Sequence, residues 1–215
     1  TQMKAPGEVM AIGSSFEAAL MKAIRSLEQN VYSLRLEKLM DLYTEEVEEK
    51  LANVDDERIF VVAEALRRGF SPEKVHNITK IDIWFLDRLK AIVDMENELV
   101  RTGMPGAELL RRAKEMGFAD TYIAKLTGTD AAEIKHLRKS LGLHPSYKMV
   151  DTCAAEFEAE TPYYYSTFDA DNEADLPLSL PDVGELEPSV PAAPYLAANP
   201  AVPHRGTPEG KRKVL

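Results

Sequence analysis

The chain has 215 residues, of which 29% are charged and 45% are hydrophobic, a composition typical of a protein that folds in water. Its formal net charge of −10 disfavours nonspecific nucleic-acid binding, and its single cysteine excludes an internal disulfide framework and a cysteine-rich zinc site. No stretch approaches the roughly 18 consecutive apolar residues of a membrane span, and no secretory signal is visible, so we expect a cytoplasmic protein without membrane contact.

The first predicted element is a short strand over residues 8–12, enclosed by Gly7 and Gly13. These glycines fit neither a P-loop nor a dinucleotide fingerprint, so they give no support for a phosphate site. The pattern Ser14-Ser15-Phe16-Glu17 then predicts a capping box, with Ser14 at the N-cap of a helix and a carboxylate three residues later. Apolar residues follow at helical spacing: Phe16, Leu20, Ile24 and Leu27.

Residues that typically begin or end helices predict six further helices in the middle of the chain. Asp55 is placed to cap the first of them and Gly69 to end it, and Pro72 stands at the start of the second. The longest, over residues 82–102, would be about 31 Å long. The last three cover residues 106–116, 119–126 and 130–140. Few runs alternate in the manner of strands, so the sequence predicts an all-α domain of packed helices with short connections.

The C-terminal part differs in composition from the rest of the chain. Eight of the 13 prolines lie between Pro177 and Pro208, and residues 168–204 hold seven acidic residues with no Lys or Arg. Because this stretch has neither helical nor alternating periodicity, we interpret residues 169–210 as a flexible, disordered Pro-rich linker. The basic turn and two apolar residues over 211–215 then look like the opening of a strand.

No catalytic residue and no metal site can be identified from the sequence. The four histidines do not pair at metal-ligand spacing: His76, His136, His144 and His204. Cys153 lies among small residues without a nearby base, which favours a small buried hydrophobe over a nucleophile. The run Tyr163-Tyr164-Tyr165 lacks interleaved cations, so we expect it to pack an extended segment against another domain rather than to stack on bases.

One pattern supports a binding hypothesis. The predicted helices 119–126 and 130–140, joined by a turn at residues 127–129, have helix-turn-helix spacing. The second helix carries four residues that could meet phosphates: Lys135, His136, Arg138 and Lys139. The alternative is that the pair is an ordinary helical packing unit, which the acidic balance of the chain favours.

Several long peptides resemble the large subunit of carbamoyl-phosphate synthetase. They are Thr1–Lys4 followed by Gly7–Gly13, Asn77–Asp82 with Trp84–Leu86, Gly117–Asp120, Ala124–Leu126, Leu143–Pro145, Tyr147–Phe157 and Thr161–Thr167. The blocks GEVMAIG and VDTCAAEF are the most specific of these. Together the matches cover about residues 1–168.

The resemblance implies an architecture of two ATP-grasp halves joined by a helical oligomerisation domain. It assigns residues 1–26 to the tail of the first, carboxyphosphate half and 27–168 to the oligomerisation domain. Residues 169–210 would be the linker and 211–215 the start of the second, carbamoyl-phosphate half. The ligands of ATP and of Mg²⁺ or Mn²⁺ would lie outside this chain, which is therefore expected to bind no cofactor itself and to be inactive alone.

The resemblance also implies partners and one chemical site. The partners would be the flanking ATP-grasp halves, a glutaminase small subunit and further copies of the chain, which we expect to associate mainly by apolar contact. In the family, carbamate moves between the halves through a tunnel, and the residues that match its wall are Met3 and Glu8. The chain departs from the family at Ser14-Ser15, where Arg and Thr are usual, and in its long Pro-rich stretch.

Two functions therefore follow from the sequence. The first is a connecting and oligomerising part of a ligase that makes carbamoyl phosphate for arginine and pyrimidine synthesis. The second is a helix-turn-helix nucleic-acid-binding domain that uses Lys135, Arg138 and Lys139.

Overall fold

The computed structural model of the chain describes residues 9–27, 29–150, 163–169 and 172–174. Its helices, in chain order, are α1 Phe16–Arg25, α2 Glu37–Met40, α3 Thr44–Leu51, α4 Arg58–Arg67, α5 Pro72–Thr79, α6 Ile83–Thr102, α7 Ala107–Glu115, α8 Asp120–Thr127 and α9 Ala131–Ser140. Two strands follow, β1 Ser146–Val150 and β2 Tyr163–Thr167. The predicted helical fold class is confirmed over this part of the chain, in which no helix is long and apolar enough to cross a membrane.

Most predicted helix boundaries are formed by the residues that the sequence indicated. The Ser71 hydroxyl accepts a hydrogen bond from the Lys74 amide at 3.2 Å, and the Asp82 carboxylate accepts one from the Trp84 amide at 2.8 Å. Both bonds satisfy amides that have no partner within their own helix. Gly69 follows α4 with φ +88°, a left-handed conformation that glycine adopts without a Cβ clash.

The start of α1 differs from the prediction by one residue. The N-cap is Ser15 rather than Ser14, and its hydroxyl accepts a hydrogen bond from the Ala18 amide at 3.2 Å. The predicted capping box does not form, because with Ser15 as the N-cap the third helical residue is Ala18, which has no carboxylate. Glu17 is only 8% exposed. Its carboxylate lies 3.4 Å from the Arg88 guanidinium of α6. The helix is therefore capped by Ser15 alone, and Glu17 forms an ion pair between two helices.

Residues 31–57 contain structure that the sequence analysis did not predict. They form α2 and α3, and the Glu46 carboxylate accepts a hydrogen bond from the Tyr43 amide at 2.6 Å at the start of α3. The predicted cap Asp55 lies two residues before the actual N-cap of α4. Its carboxylate accepts from the Glu57 amide at 3.1 Å, and Glu57 is itself the N-cap of α4.

Helix α6 runs through the centre of the molecule and packs against α1, α4, α5 and α8. Its inward side chains include Leu86, Ile92 and Leu99, each 0% exposed. Each such side chain contributes about 1.5–3 kcal/mol when it is withdrawn from water, so α6 organises the core. Gly117, between α7 and α8, lets this turn approach α1 closely, because a Cβ there would lie 3.2 Å from the Ala18 Cα.

The strand predicted over residues 8–12 does not form in its described part, since residues 9–13 are neither helix nor strand. The segment instead lies along α1, where the Lys22 ammonium donates to the Ile12 carbonyl at 2.7 Å. The small sheet comes from β1 and β2, which pair antiparallel with Ser146 opposite Thr167. Beyond Ala174, the predicted linker and the strand at 211–215 lie outside the described residues.

Candidate functional site

A broad concavity among the described residues lies between the segment 30–41, the C-terminal half of α6 and α8. Its volume is about 830 Å³, within the range of about 300–1,000 Å³ that is usual for binding pockets. Its lining comprises Asn30, Val31, Tyr32, Ser33, Arg35, Leu36, Glu37, Met40, Asp41, Val100, Tyr122, Lys125 and Leu126. We call this surface the concave face.

Large apolar side chains are exposed on the concave face. Tyr32, Met40 and Val100 are 48%, 43% and 52% exposed. They come from two separate parts of the chain, segment 30–41 and α6, and the fold brings them around one cavity. A group of exposed apolar side chains around a concavity is typical of an interaction surface. Sequence reasoning missed it, because Tyr32 and Met40 lie in a segment without helical periodicity.

The concave face also carries charges of both signs. Glu37 and Lys125 form an ion pair at 2.9 Å, and the hydrogen bond from Lys125 lowers the pKa of the Glu37 carboxyl. Among the described residues, neither Arg35 nor Asp41 has an opposite charge within 4.0 Å. The face therefore presents to an incoming surface one cation, which donates to the Met40 sulfur at 3.2 Å, and one anion.

A buried polar network forms the floor beneath the concave face. Its centre is Glu96, which is 1% exposed and accepts three hydrogen bonds. The donors are Ser33 at 2.5 Å, Tyr122 at 2.9 Å and Arg67 at 2.7 Å. Arg67 also pairs with Glu64 at 2.6 Å. Because every charge has a partner, the network fixes segment 30–41 against α6 and α8 without an uncompensated buried ion.

The electrostatics of this floor agree with its geometry. Burial and the Glu96 carboxylate both raise the pKa of the Tyr122 hydroxyl, which therefore stays protonated and donates. Burial alone would lower the pKa of the Arg67 guanidinium, but the charges of Glu96 and Glu64 raise it. In the sequence, Glu96 lies on the otherwise apolar buried stripe of the long helix. An acid on an apolar stripe is the signal that could have indicated the network.

The helix-turn-helix residues are placed differently from what a phosphate-binding helix needs. Arg138 donates to the Asp120 carboxylate at 3.0 Å and to the Leu143 carbonyl at 2.8 Å. Asp120 also accepts from the Lys114 ammonium at 2.6 Å. The Arg138 side chain is only 13% exposed, so it holds α9 to α8 and to the chain that follows. Arg138, one of the three cations that the nucleic-acid hypothesis uses, is therefore engaged within the protein rather than exposed to phosphates.

The other candidate residues from the sequence form no catalytic or metal site in the part of the chain that the structure describes. His76 is bonded through Nδ1 to the Ile81 carbonyl at 2.7 Å, which is a structural contact. Within the same residues, no group of three His, Cys, Asp or Glu side chains could hold a metal ion. Met3, Glu8, Cys153 and His204 lie outside the described residues.

Comparison with known proteins connects this fold to one family. Residues 8–142 match the family model described as carbamoyl-phosphate synthetase large chain, oligomerisation domain. The chain is 57% identical over 174 residues to the carbamoyl phosphate synthase large chain of Agathobacter rectalis, and 52% identical over 176 residues to that of Lachnoclostridium phytofermentans. Each alignment covers 81% of this chain but 16% of the relative, so the chain spans about a sixth of their length.

Proposed function

The chain belongs to the carbamoyl-phosphate synthetase large-chain oligomerisation-domain family, and we propose that it is the self-associating connector of such a large chain. In this proposal the whole enzyme makes carbamoyl phosphate from bicarbonate, glutamine-derived ammonia and two ATP, in the cytoplasm. The flanking ATP-grasp halves bind ATP and its Mg²⁺ or Mn²⁺, and a glutaminase small subunit supplies the ammonia. The present chain joins the halves and brings copies of the enzyme together.

The connector contributes no catalysis of its own in this proposal, because the ligands of ATP and its metal are assigned to the flanking halves. The purified chain should therefore neither hydrolyse ATP nor form carbamoyl phosphate. An assay of bicarbonate-dependent ATP turnover tests this expectation. Turnover above a blank without protein would contradict it.

The concave face is the observation that supports self-association. Symmetric dimers reuse the same patch on both copies, so the patch must complement itself. Exposed Tyr32, Met40 and Val100 supply apolar area, while Arg35 and Asp41 supply opposite charges that can pair across a two-fold axis. Such a face is suited to a second copy of the same chain.

A pair of matched variants tests this assignment. Met40→Glu places a charge on the concave face, where Met40 is 43% exposed. Phe85→Glu makes the same kind of change at a residue that is 45% exposed, in an aromatic cluster at the opposite end of α6. Light scattering after size exclusion should show association for the parent and Phe85→Glu, and monomers for Met40→Glu. Circular dichroism confirms that each variant is folded.

Two other results would contradict the assignment of the concave face as the interface. If Met40→Glu associates like the parent, the concave face is not the interface. If only Phe85→Glu is monomeric, the aromatic cluster of Phe16, Trp84 and Phe85 holds the copies together instead.

We also propose that Met3 and Glu8 line the route of carbamate between the halves. The support is their match to the family's tunnel wall, since both residues lie outside the described structure. In a full-length large chain with its small subunit, Glu8→Gln should lower carbamoyl-phosphate formation while the bicarbonate-dependent ATPase of the first half persists. Equal loss of both activities would instead indicate that Glu8 only supports the fold.

A further inference from the structure

A second, smaller cavity lies between α1, the turn that joins α7 to α8, and the end of β2. Its volume is about 110 Å³. At about 30 Å³ per water molecule, it has room for three or four waters. That is the size of a small oxyanion. A wider, more open cavity of about 460 Å³ shares Lys22, Arg25 and Ser166 with it. The lining of the smaller cavity is Ala18, Lys22, Arg25, Lys114, Glu115, Gly117, Phe118, Ala119, Ser166, Thr167 and Phe168.

Three cationic side chains line this cavity. The Lys22 ammonium is held by carbonyl oxygens of Ile12 at 2.7 Å and Ser166 at 2.5 Å. The Arg25 guanidinium donates through Nη1 to the Gly117 carbonyl at 2.7 Å. These bonds to neutral carbonyls fix the direction of both side chains without neutralising their charge.

The acidic groups nearby do not balance these cations. Among the described residues, Lys22 and Arg25 have no carboxylate oxygen within 4.0 Å. Asp120 is shared between Lys114 at 2.6 Å and Arg138 at 3.0 Å. Glu115, the acid in the lining, makes no ion pair with any of the three lining cations. The cavity therefore carries an excess of positive charge in a partly desolvated place.

The titration behaviour of the cluster is consistent with this excess. Burial lowers the pKa of Arg25 and Lys114, and burial together with the Arg25 charge lowers that of Lys22. The Asp169 carboxylate acts in the opposite direction on Lys22 but is the smaller effect. An anion in the cavity would stabilise all three charged forms.

We propose that this cavity is a binding site for a small oxyanion, with Arg25 and Lys22 as its principal ligands. The planar guanidinium presents several N–H groups in a fixed arrangement, of which one bonds the Gly117 carbonyl, and this geometry suits two oxygens of one anion. Lys22 adds a point charge from one turn earlier on α1. A bound oxyanion would join α1 to β2 and to the α7–α8 turn.

Inorganic phosphate is the probe for the test. We expect the thermal midpoint of the parent chain to rise with phosphate and to saturate at millimolar concentrations, relative to chloride at equal ionic strength. Arg25→Gln and Lys22→Gln should each lose this rise. Arg101→Gln, which removes a charge from an exposed position on α6, should keep it. The readout is the increment that phosphate adds to each variant, so a lower starting stability does not obscure it.

Three results would overturn the proposal. The parent could show the same midpoint in phosphate and chloride, in which case no site exists. A rise that does not saturate and is equal in all variants would be the general stabilising effect of phosphate on folded proteins. If Arg25→Gln does not fold, Lys22→Gln decides, and a full phosphate increment in that variant contradicts the assignment.

Discussion

Replacement of Glu96 by alanine tests the idea that the buried network holds the concave face in shape. The substitution removes the acceptor of Ser33, Tyr122 and Arg67 from a site that is 1% exposed. Arg67 keeps Glu64, but its bond to Glu96 at 2.7 Å is lost in a place where its side chain is only 12% exposed. Breaking a buried ion pair in this way costs about 3–5 kcal/mol.

The chain offers a matched control two residues further along the same helix. Glu98 pairs with Arg112 at 3.1 Å, but the two side chains are 32% and 47% exposed. Surface pairs of this kind contribute about 0–1 kcal/mol, so Glu98→Ala should change stability little. Each variant removes one glutamate carboxylate from α6. The two carboxylates differ in burial and in the number of bonds that are lost.

Urea unfolding at low protein concentration measures the difference. Far-ultraviolet circular dichroism reports the helices, and Trp84, the single tryptophan, reports the start of α6. With a slope of about 2 kcal/mol per molar urea, the expected loss moves the Glu96→Ala midpoint down by about 1.5–2.5 M. If Glu96→Ala and Glu98→Ala unfold at the same urea concentration, the network does not stabilise this region and the reasoning is wrong.

Further predictions concern the turn between α7 and α8 and the ion pairs beside it. Gly117→Ala should destabilise the chain by about 1–3 kcal/mol more than Gly128→Ala, because both have positive φ but only Gly117 would place a Cβ 3.2 Å from Ala18. Urea unfolding of both variants measures this, and equal losses would contradict the close approach. Burial would raise the pKa of Asp120, but Lys114 and Arg138 lower it below its ordinary value. The stabilisation by Asp120 is therefore complete above the ordinary carboxyl pKa of about 4 and is lost as pH falls through the lower folded value. Asp120→Asn should accordingly flatten the loss of stability below about pH 4, and an unchanged slope in unfolding experiments across pH would refute this.

Local sequence signals predicted the parts of the fold that depend on local chemistry. Gly69 and Asp82 end and begin helices because the backbone at those positions needs a left-handed residue or a side-chain acceptor, and the residue type reveals that need. The start of α1 was misplaced by one residue, since Ser14 and Ser15 are chemically equivalent caps. The inward turn of Glu17 depends on Arg88, which is distant in sequence.

Long-range packing explains what the sequence did not reveal. Half of the eight residues of helix α3 are Glu, and it has only two buried apolar residues, Val47 and Leu51, which contact the core in the folded chain. The concave face likewise joins residues 30–41 to α6 and α8, an arrangement without a local pattern. The second, smaller cavity joins Lys22 and Arg25 on α1 to β2. Its excess of positive charge therefore depends on the folded arrangement and has no local sequence pattern.

Sedimentation velocity across a concentration series, at low and at high salt, tests most directly whether the chain is a self-associating connector. The account predicts dimers or higher species at tens of micromolar that persist or strengthen at high salt, because salt screens charges but does not weaken apolar contact. A monomer at all concentrations would mean that the chain does not associate by itself. Dissociation by salt would mean that ion pairs, rather than the apolar side chains of the concave face, hold the copies together.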